Sequence, residues 1–244
     1  MKHTTALFLG DSIVKGIVPV DGTYRVLTTS FFNTFSKTIS SSSINKGRFG
    51  ITSTKFLKNI EKLQEIQADI IFFSIGGNDC NYNWKEIAEH PTAEHLPAVS
   101  KEVFEDNLTR IYDFFLANNM NVIAMNFPPL HAEKFYSYLS VHLPGEPIRA
   151  WLGNISKIHY HHESYNTIFE TVTRSCGVDL IDIRSGFLRE DNLDTLMSVD
   201  GMHPSEKGHE LIYRSISNYL LLQAIQFKKA KQLLMKKVTA PHVL

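Results

Sequence analysis

Ala6-Leu7-Phe8-Leu9-Gly10-Asp11-Ser12 is the stretch that orients the rest of the chain. Four apolar residues ended by a glycine and an acid read as a strand buried on both faces, the habit of parallel sheets. Similar short runs, apolar or β-branched and bounded by polar residues or glycine, recur at Ile39 to Ile44, Asp69 to Ile75, Asn121 to Asn126 and Val178 to Ile183. Between them lie helical patterns. Val103, Leu108, Ile111, Phe114 and Phe115 recur at helical spacing before the stop Asn118-Asn119, and Phe56, Leu57, Ile60 and Leu63 form a shorter example. Strands alternating with helices predict an α/β three-layer sandwich, a five-stranded parallel sheet flanked by helices, within one domain spanning residues 1–244. In such folds ligands sit beyond the carboxyl ends of the strands. Ser12 follows the first strand, Gly50 the second and Asn78 the third, so all three are expected at one edge.

Two stretches break the rhythm and read as irregular. Asn81 to Val99 carries Tyr82, Trp84, Pro91 and Pro97; Phe127 to Arg149 carries Pro128-Pro129, Tyr136, Tyr138, Pro144 and Pro147. Both leave the active edge, where long loops act as lids or substrate walls. Tyr82, Trp84, Tyr136, Tyr138 and Trp151 read equally as a sugar- or acyl-binding wall and as loop anchors.

The bulk numbers exclude several classes. With 25 basic and 25 acidic residues the formal net charge is zero, which leaves no cationic excess for nucleic acid. No apolar run is long enough to span a bilayer, and the apolar run Ala6 to Leu9 is too short for an export signal, so a cytoplasmic location is expected. Cys80 and Cys176 do not make a disulfide framework. Cys176 before Gly177 reads as a small buried residue at a helix end, and Cys80 as a neighbour of the pocket without a chemical role.

Four short motifs carry chemistry. A serine on the turn after a strand, as in Gly10-Asp11-Ser12, either caps the next segment or points its hydroxyl and its own N–H into the crevice. In Asp200-Gly201-Met202-His203 the carboxylate either sits beside an incidental histidine or accepts its Nδ1–H, leaving Nε2 to take a serine proton. Gly50 offers an unobstructed backbone N–H and Asn78 a side-chain amide, both suited to an oxyanion and both equally at home in an ordinary turn. Together they supply a nucleophile, a base, an orienting carboxylate and oxyanion donors, the requirements of acyl transfer. The phosphate-cradling pattern G-x-x-x-x-G-K-[ST] is absent after the first strand.

The combination resembles the SGNH (GDSL) hydrolase family over most of the chain. Phe8 to Gly16 is similar to its first block, Asn45 to Ser53 to its second, Gly76-Gly77-Asn78-Asp79 to its third, and Asp200 with His203 to the D-x-x-H of its last. The resemblance implies a flavodoxin-like fold with Ser12, Asp200 and His203 as catalytic residues and Ser12, Gly50 and Asn78 as oxyanion donors. Gly47 competes with Gly50 for that place. It further implies a serine ester hydrolase that cleaves an O-acyl ester, short-chain or acetyl, through an acyl-enzyme on Ser12. No cofactor and no metal are implied. The partner is a small-molecule ester, carbohydrate-like in one reading. An acyltransferase sharing the acyl-enzyme and a non-catalytic binding module are the alternatives. Two departures stand out: Ile13 where leucine is usual, and Ile51 where an aspartate is common, which questions the polar support of that loop.

His159, His161 and His162 cluster without the spacing of a common zinc motif and read as solvated or partly packed helix residues. The tail has no acid after Glu210, while Arg214, Lys228, Lys229, Lys231, Lys236 and Lys237 follow. Ile216, Leu220, Ala224, Phe227, Leu234 and Val238 form one stripe, so a basic amphipathic helix is expected around 224–238. It packs on its own domain, forms a homodimer contact, or lies on an anionic membrane surface.

Overall fold

The computed structural model describes residues 5–40 and 42–239, with side chains as far as residue 228. The first half of the chain gives β1 (Ala6–Gly10), α1 (Ser12–Lys15), β2 (Ile17–Val20), β3 (Thr23–Val26), α2 (Phe31–Thr38), β4 (Ile44–Asn45), α3 (Ser53–Leu57), β5 (Ile70–Ser74), α4 (Trp84–Glu89) and α5 (Lys101–Ala117). The second gives β6 (Val122–Met125), α6 (Ala132–His142), α7 (Gly145–Leu152), α8 (Ser156–Ser175), β7 (Asp179–Ile181), α9 (Arg184–Leu188) and α10 (Glu206–Thr239). The five-stranded sheet has the order β4-β1-β5-β6-β7 and every pairing in it is parallel.

Alternation along β1 and β5 divides the core. Leu7, Leu9, Ile71 and Phe73 face a layer that includes Phe56, Phe104, Leu108, Phe115 and Phe169. Ala6, Phe8 and Phe72 face the other layer, with Phe31, Phe35, Phe187, Ile212 and Ile216. Phe8 and Phe72 are register partners whose rings stack at 4.6 Å. Each such buried phenylalanine stabilises the fold by about 1.5–3 kcal/mol, and the two-sided burial is why β1 is apolar without interruption.

Three expectations change. The strand expected over Ile39 to Ile44 is only Ile44–Asn45, because Ser30 caps a helix whose Phe31 and Phe35 pack on Phe8, and this helix consumes the chain to Thr38. Both stretches expected to be irregular contain helices, α4 in the first, α6 and part of α7 in the second. These three bury Trp84, Ile87, Phe135, Ile148 and Leu152 in a third apolar cluster. In α5 the inward stripe runs through Phe104, and Val103 is exposed.

The hairpin β2–β3 was not foreseen. It turns on Asp21 and Gly22, both at positive φ (49° and 73°), the geometry a two-residue hairpin turn requires. At the other end, α10 buries Ile212 and Ile216 and half-buries Leu220, but residues 221–228 are all exposed. Ala224 and Phe227 therefore do not pack on the body of the chain, and the side chains of Leu234 and Val238 lie outside the described residues. Among the described residues no helix is long and apolar enough to cross a membrane.

Candidate active site

Asp11 ends β1 and caps α1, accepting the N–H of Ile13 at 2.9 Å. That cap starts a single helical turn whose first residue is Ser12, so the Ser12 N–H is one of the amides a helix start leaves unpaired. The last motif is fixed differently. Asp200 Oδ1 accepts the backbone N–H groups of Met202 (3.1 Å) and His203 (3.0 Å), a local turn that leaves Oδ2 for the ring. Gly201 stands at φ 65°, where a Cβ would lie 2.5 Å from the His131 carbonyl, so the turn presses directly on the start of α6. His131 N–H donates to Gly201 O at 2.8 Å, and Met197 bridges Pro204 to close the loop.

These supports bring the residues together. The Ser12 hydroxyl lies 2.9 Å from His203 Nε2, and His203 Nδ1 lies 2.6 Å from Asp200 Oδ2. All three side chains are buried. A serine oxygen, an imidazole and a carboxylate in that line can pass a proton from hydroxyl to ring while the carboxylate holds the tautomer.

The candidate donors differ in what they already bond. Asn45 links the second block to the first: its Nδ2 donates to Val14 O (2.9 Å) and its Oδ1 accepts the Gly47 N–H (2.8 Å). Gly47's amide is thereby consumed. Gly50, at φ 68° with open space on its Cβ side, donates its N–H to nothing among the described residues, and the Asn78 side chain is likewise unbonded there. Of the two glycines, Gly50 is the one whose N–H stays unengaged among the described residues.

With the geometry in place, the comparisons with known proteins decide the family. Residues 8–211 match the model of the GDSL-like lipase/acylhydrolase family. The chain belongs to that family. A curated relative, the GDSL esterase/lipase WDL1 of Oryza sativa subsp. japonica, is 23% identical over 181 residues, 72% of this chain, and the chain spans 64% of its length. Among solved structures, the lipase/acylhydrolase from Enterococcus faecalis superposes with a TM-score of 0.61 at 17% identity, covering 89% of this chain and 95% of that one. A mutant of Axe2, an acetyl-xylooligosaccharide esterase from Geobacillus stearothermophilus, gives 0.61 at 18% identity, covering 88% and 94%. These likenesses bear on the fold, and α10 beyond residue 211 lies outside the family match.

The family's second-block loop carries Ile51 in place of a polar residue, and its support comes from across the site. Asp79 accepts the Ser53 N–H on both oxygens (2.9 and 3.0 Å) and the Ser53 hydroxyl as well, while Asn107 donates to Ser53 Oγ and Thr54 Oγ1. Sequence reasoning missed this Asp79–Ser53 bridge. Burial drives the Asp79 carboxyl up to about 7, against the pull of the Ser53 bonds, and the nearby Asp11 adds to the rise. Burial raises Asp11 too. Between pH 4 and 7 the folded chain therefore holds a proton on Asp79 that the unfolded chain has lost, so this group's contribution to stability falls as pH rises. Asp79→Asn removes that loss. Its unfolding free energy relative to the parent, read from urea midpoints, should grow by on the order of 3 kcal/mol between pH 4 and pH 8.

Beside the three motifs opens a cavity of about 390 Å³. Its lining includes Ile13, Gly77 and Met202, chain neighbours of Ser12, Asn78 and His203, together with Tyr82, Trp84 and Trp151, which pack edge to face on one another. Cys80 also lines it, its thiol pushed up by burial and donating to Gly77 O. Of the histidine cluster, His161 contacts Cys80 O (3.0 Å) and Tyr82 Oη (3.3 Å), and His162 is buried and driven down to about 3. Among the described residues no group of three His, Cys, Asp or Glu side chains is placed to hold a metal.

Proposed function

We propose that the chain hydrolyses O-acyl esters through an acyl-enzyme on Ser12. The observation that carries this reading is the continuous line from Ser12 Oγ through the His203 ring to Asp200, at 2.9 and 2.6 Å. Nε2 takes the hydroxyl proton as Oγ bonds to the ester carbonyl. The carbonyl oxygen, now anionic, is met by the N–H groups of Ser12 and Gly50 and by Asn78 Nδ2, each worth about 10²–10³ in rate. Collapse of this intermediate breaks the bond to the alcohol oxygen, which leaves with the proton from Nε2. Water, deprotonated by His203, then attacks the acyl-enzyme, and the carboxylic acid departs as Ser12 regains its proton.

The apolar cavity suits the acyl group, which must stay enclosed through both steps while alcohol leaves and water enters. Acetyl and other short acyl groups fit it, with room for longer ones. The Axe2 likeness keeps a carbohydrate alcohol in view. A fluorophosphonate probe is the direct test: one adduct on Ser12, with loss of p-nitrophenyl acetate turnover in step, is expected. A folded chain that neither labels nor turns over the ester overturns the reading.

A further inference from the structure

His203 is only 1% exposed, yet the two aromatic rings that cover it are open to solvent, Tyr24 39% exposed and Phe49 54%. The Tyr24 ring centroid lies 5.4 Å from the imidazole at 58°, the Phe49 ring lies nearly parallel to it at 6.4 Å and 9°, and the two rings meet at 5.1 Å and 52°. Separate segments bring them there. Tyr24 belongs to β3 of the hairpin, and Phe49 sits in the turn that the Ile51 N–H closes on Arg48 O at 3.4 Å, directly before Gly50. Neither ring lines the cavity that suits the acyl group. The site therefore carries two apolar surfaces, an enclosed one beside Ile13, Gly77 and Met202 and an open one over His203.

We infer that Tyr24 and Phe49 form the subsite for the alcohol part of the ester, and that this subsite takes a ring alcohol with an apolar face, aryl or pyranose. The alcohol oxygen leaves with the proton of His203 Nε2, so at that step it lies about 3 Å from the nitrogen. The atoms next to it are then within reach of rings centred 5.4 and 6.4 Å from the same imidazole. Acyl and alkoxy groups are different substituents of one tetrahedral carbon, so an acyl group in the cavity turns the alkoxy group away from it. A flat partner laid on the two rings removes more apolar surface from water than a methyl or ethyl group does. This assignment rests on the ester-hydrolase reading, but half of its test does not.

Two readouts are taken on the full chain. The first compares kcat/KM for benzyl acetate, a methyl pyranoside acetylated on its primary hydroxyl, and ethyl acetate, which share one acyl group and a primary leaving alcohol. The parent should favour one of the ring acetates over ethyl acetate, benzyl marking an aryl alcohol and the pyranoside a sugar. Phe49→Ala and Tyr24→Ala should each cut that preference by about 5–10-fold, while Tyr24→Phe, which keeps the ring, leaves the benzyl preference within about twofold. The second readout needs no turnover. Benzyl alcohol titrated into Ser12→Ala should shift the ring-proton NMR resonances of Tyr24 and Phe49, and should bind about 5-fold more weakly when Phe49→Ala is added. A preference that Phe49→Ala leaves unchanged, an equal loss on all three acetates, or shifts confined to Trp84 and Trp151 of the cavity overturns the inference. The titration judges the two rings even if the parent chain hydrolyses no ester, so the two failures stay distinct.

Discussion

Ser12→Ala is expected to lower kcat for p-nitrophenyl acetate by about 10⁵–10⁶-fold. The size follows from the chemistry. Without Oγ no acyl-enzyme forms, and His203 and the oxyanion donors retain only the modest acceleration of water attack that an intact site gives. Stability should barely move. The substitution deletes one hydroxyl and its 2.9 Å bond to Nε2, a change of about 1 kcal/mol, so the urea midpoint stays near that of the parent. Turnover within tenfold of the parent would remove Ser12 from the reaction altogether.

Asp200→Asn should lower kcat by about 10⁴-fold with the fold intact. Asp200 Oδ2 accepts from Nδ1 at 2.6 Å, which leaves Nε2 bare to receive the serine proton. An asparagine can keep the two backbone N–H bonds on its oxygen, but its amide then offers N–H groups to the ring. The imidazole answers with the opposite tautomer, and Nε2, now protonated, cannot act as base. Fluorophosphonate labelling of Ser12 should slow in parallel. An Asp200→Asn variant that labels at the parental rate would mean that the carboxylate does not orient His203.

Much of this was legible along the chain, and the failures have physical reasons. β1, β5 and β6 announced themselves because strands buried on both faces are apolar nearly throughout, and the edge strand β7 showed through the alternation from Val178 to Ile183. β4 did not, since it is an edge strand pairing with β1 through Ile44 and Asn45 alone, too short to write a pattern. The prolines after β6 suggested loop, yet Pro144 stands at the N-cap of α7, a position where a missing N–H does no harm. The serine, histidine and carboxylate could be named because Asp200 and His203 are set by spacing within one turn. The bridge from Asp79 to Ser53, 26 positions away, and the cover of His203 by Tyr24 have no such local signature. The Asp21-Gly22 turn was the missed cue. It predicts a hairpin, though not what the hairpin folds against.

Ser12 and His203 are separated by 191 positions, and the loop that carries His203 is held against α6 and leads into the first turn of α10. Hydrolysis, on the chemistry proposed, therefore cannot begin on a nascent chain until synthesis has passed residue 203 and that last segment has docked. Partial products released early would be inert toward cellular esters. The appearance of turnover during refolding would also serve as a clock for the final long-range closure, the event that loop entropy makes slowest.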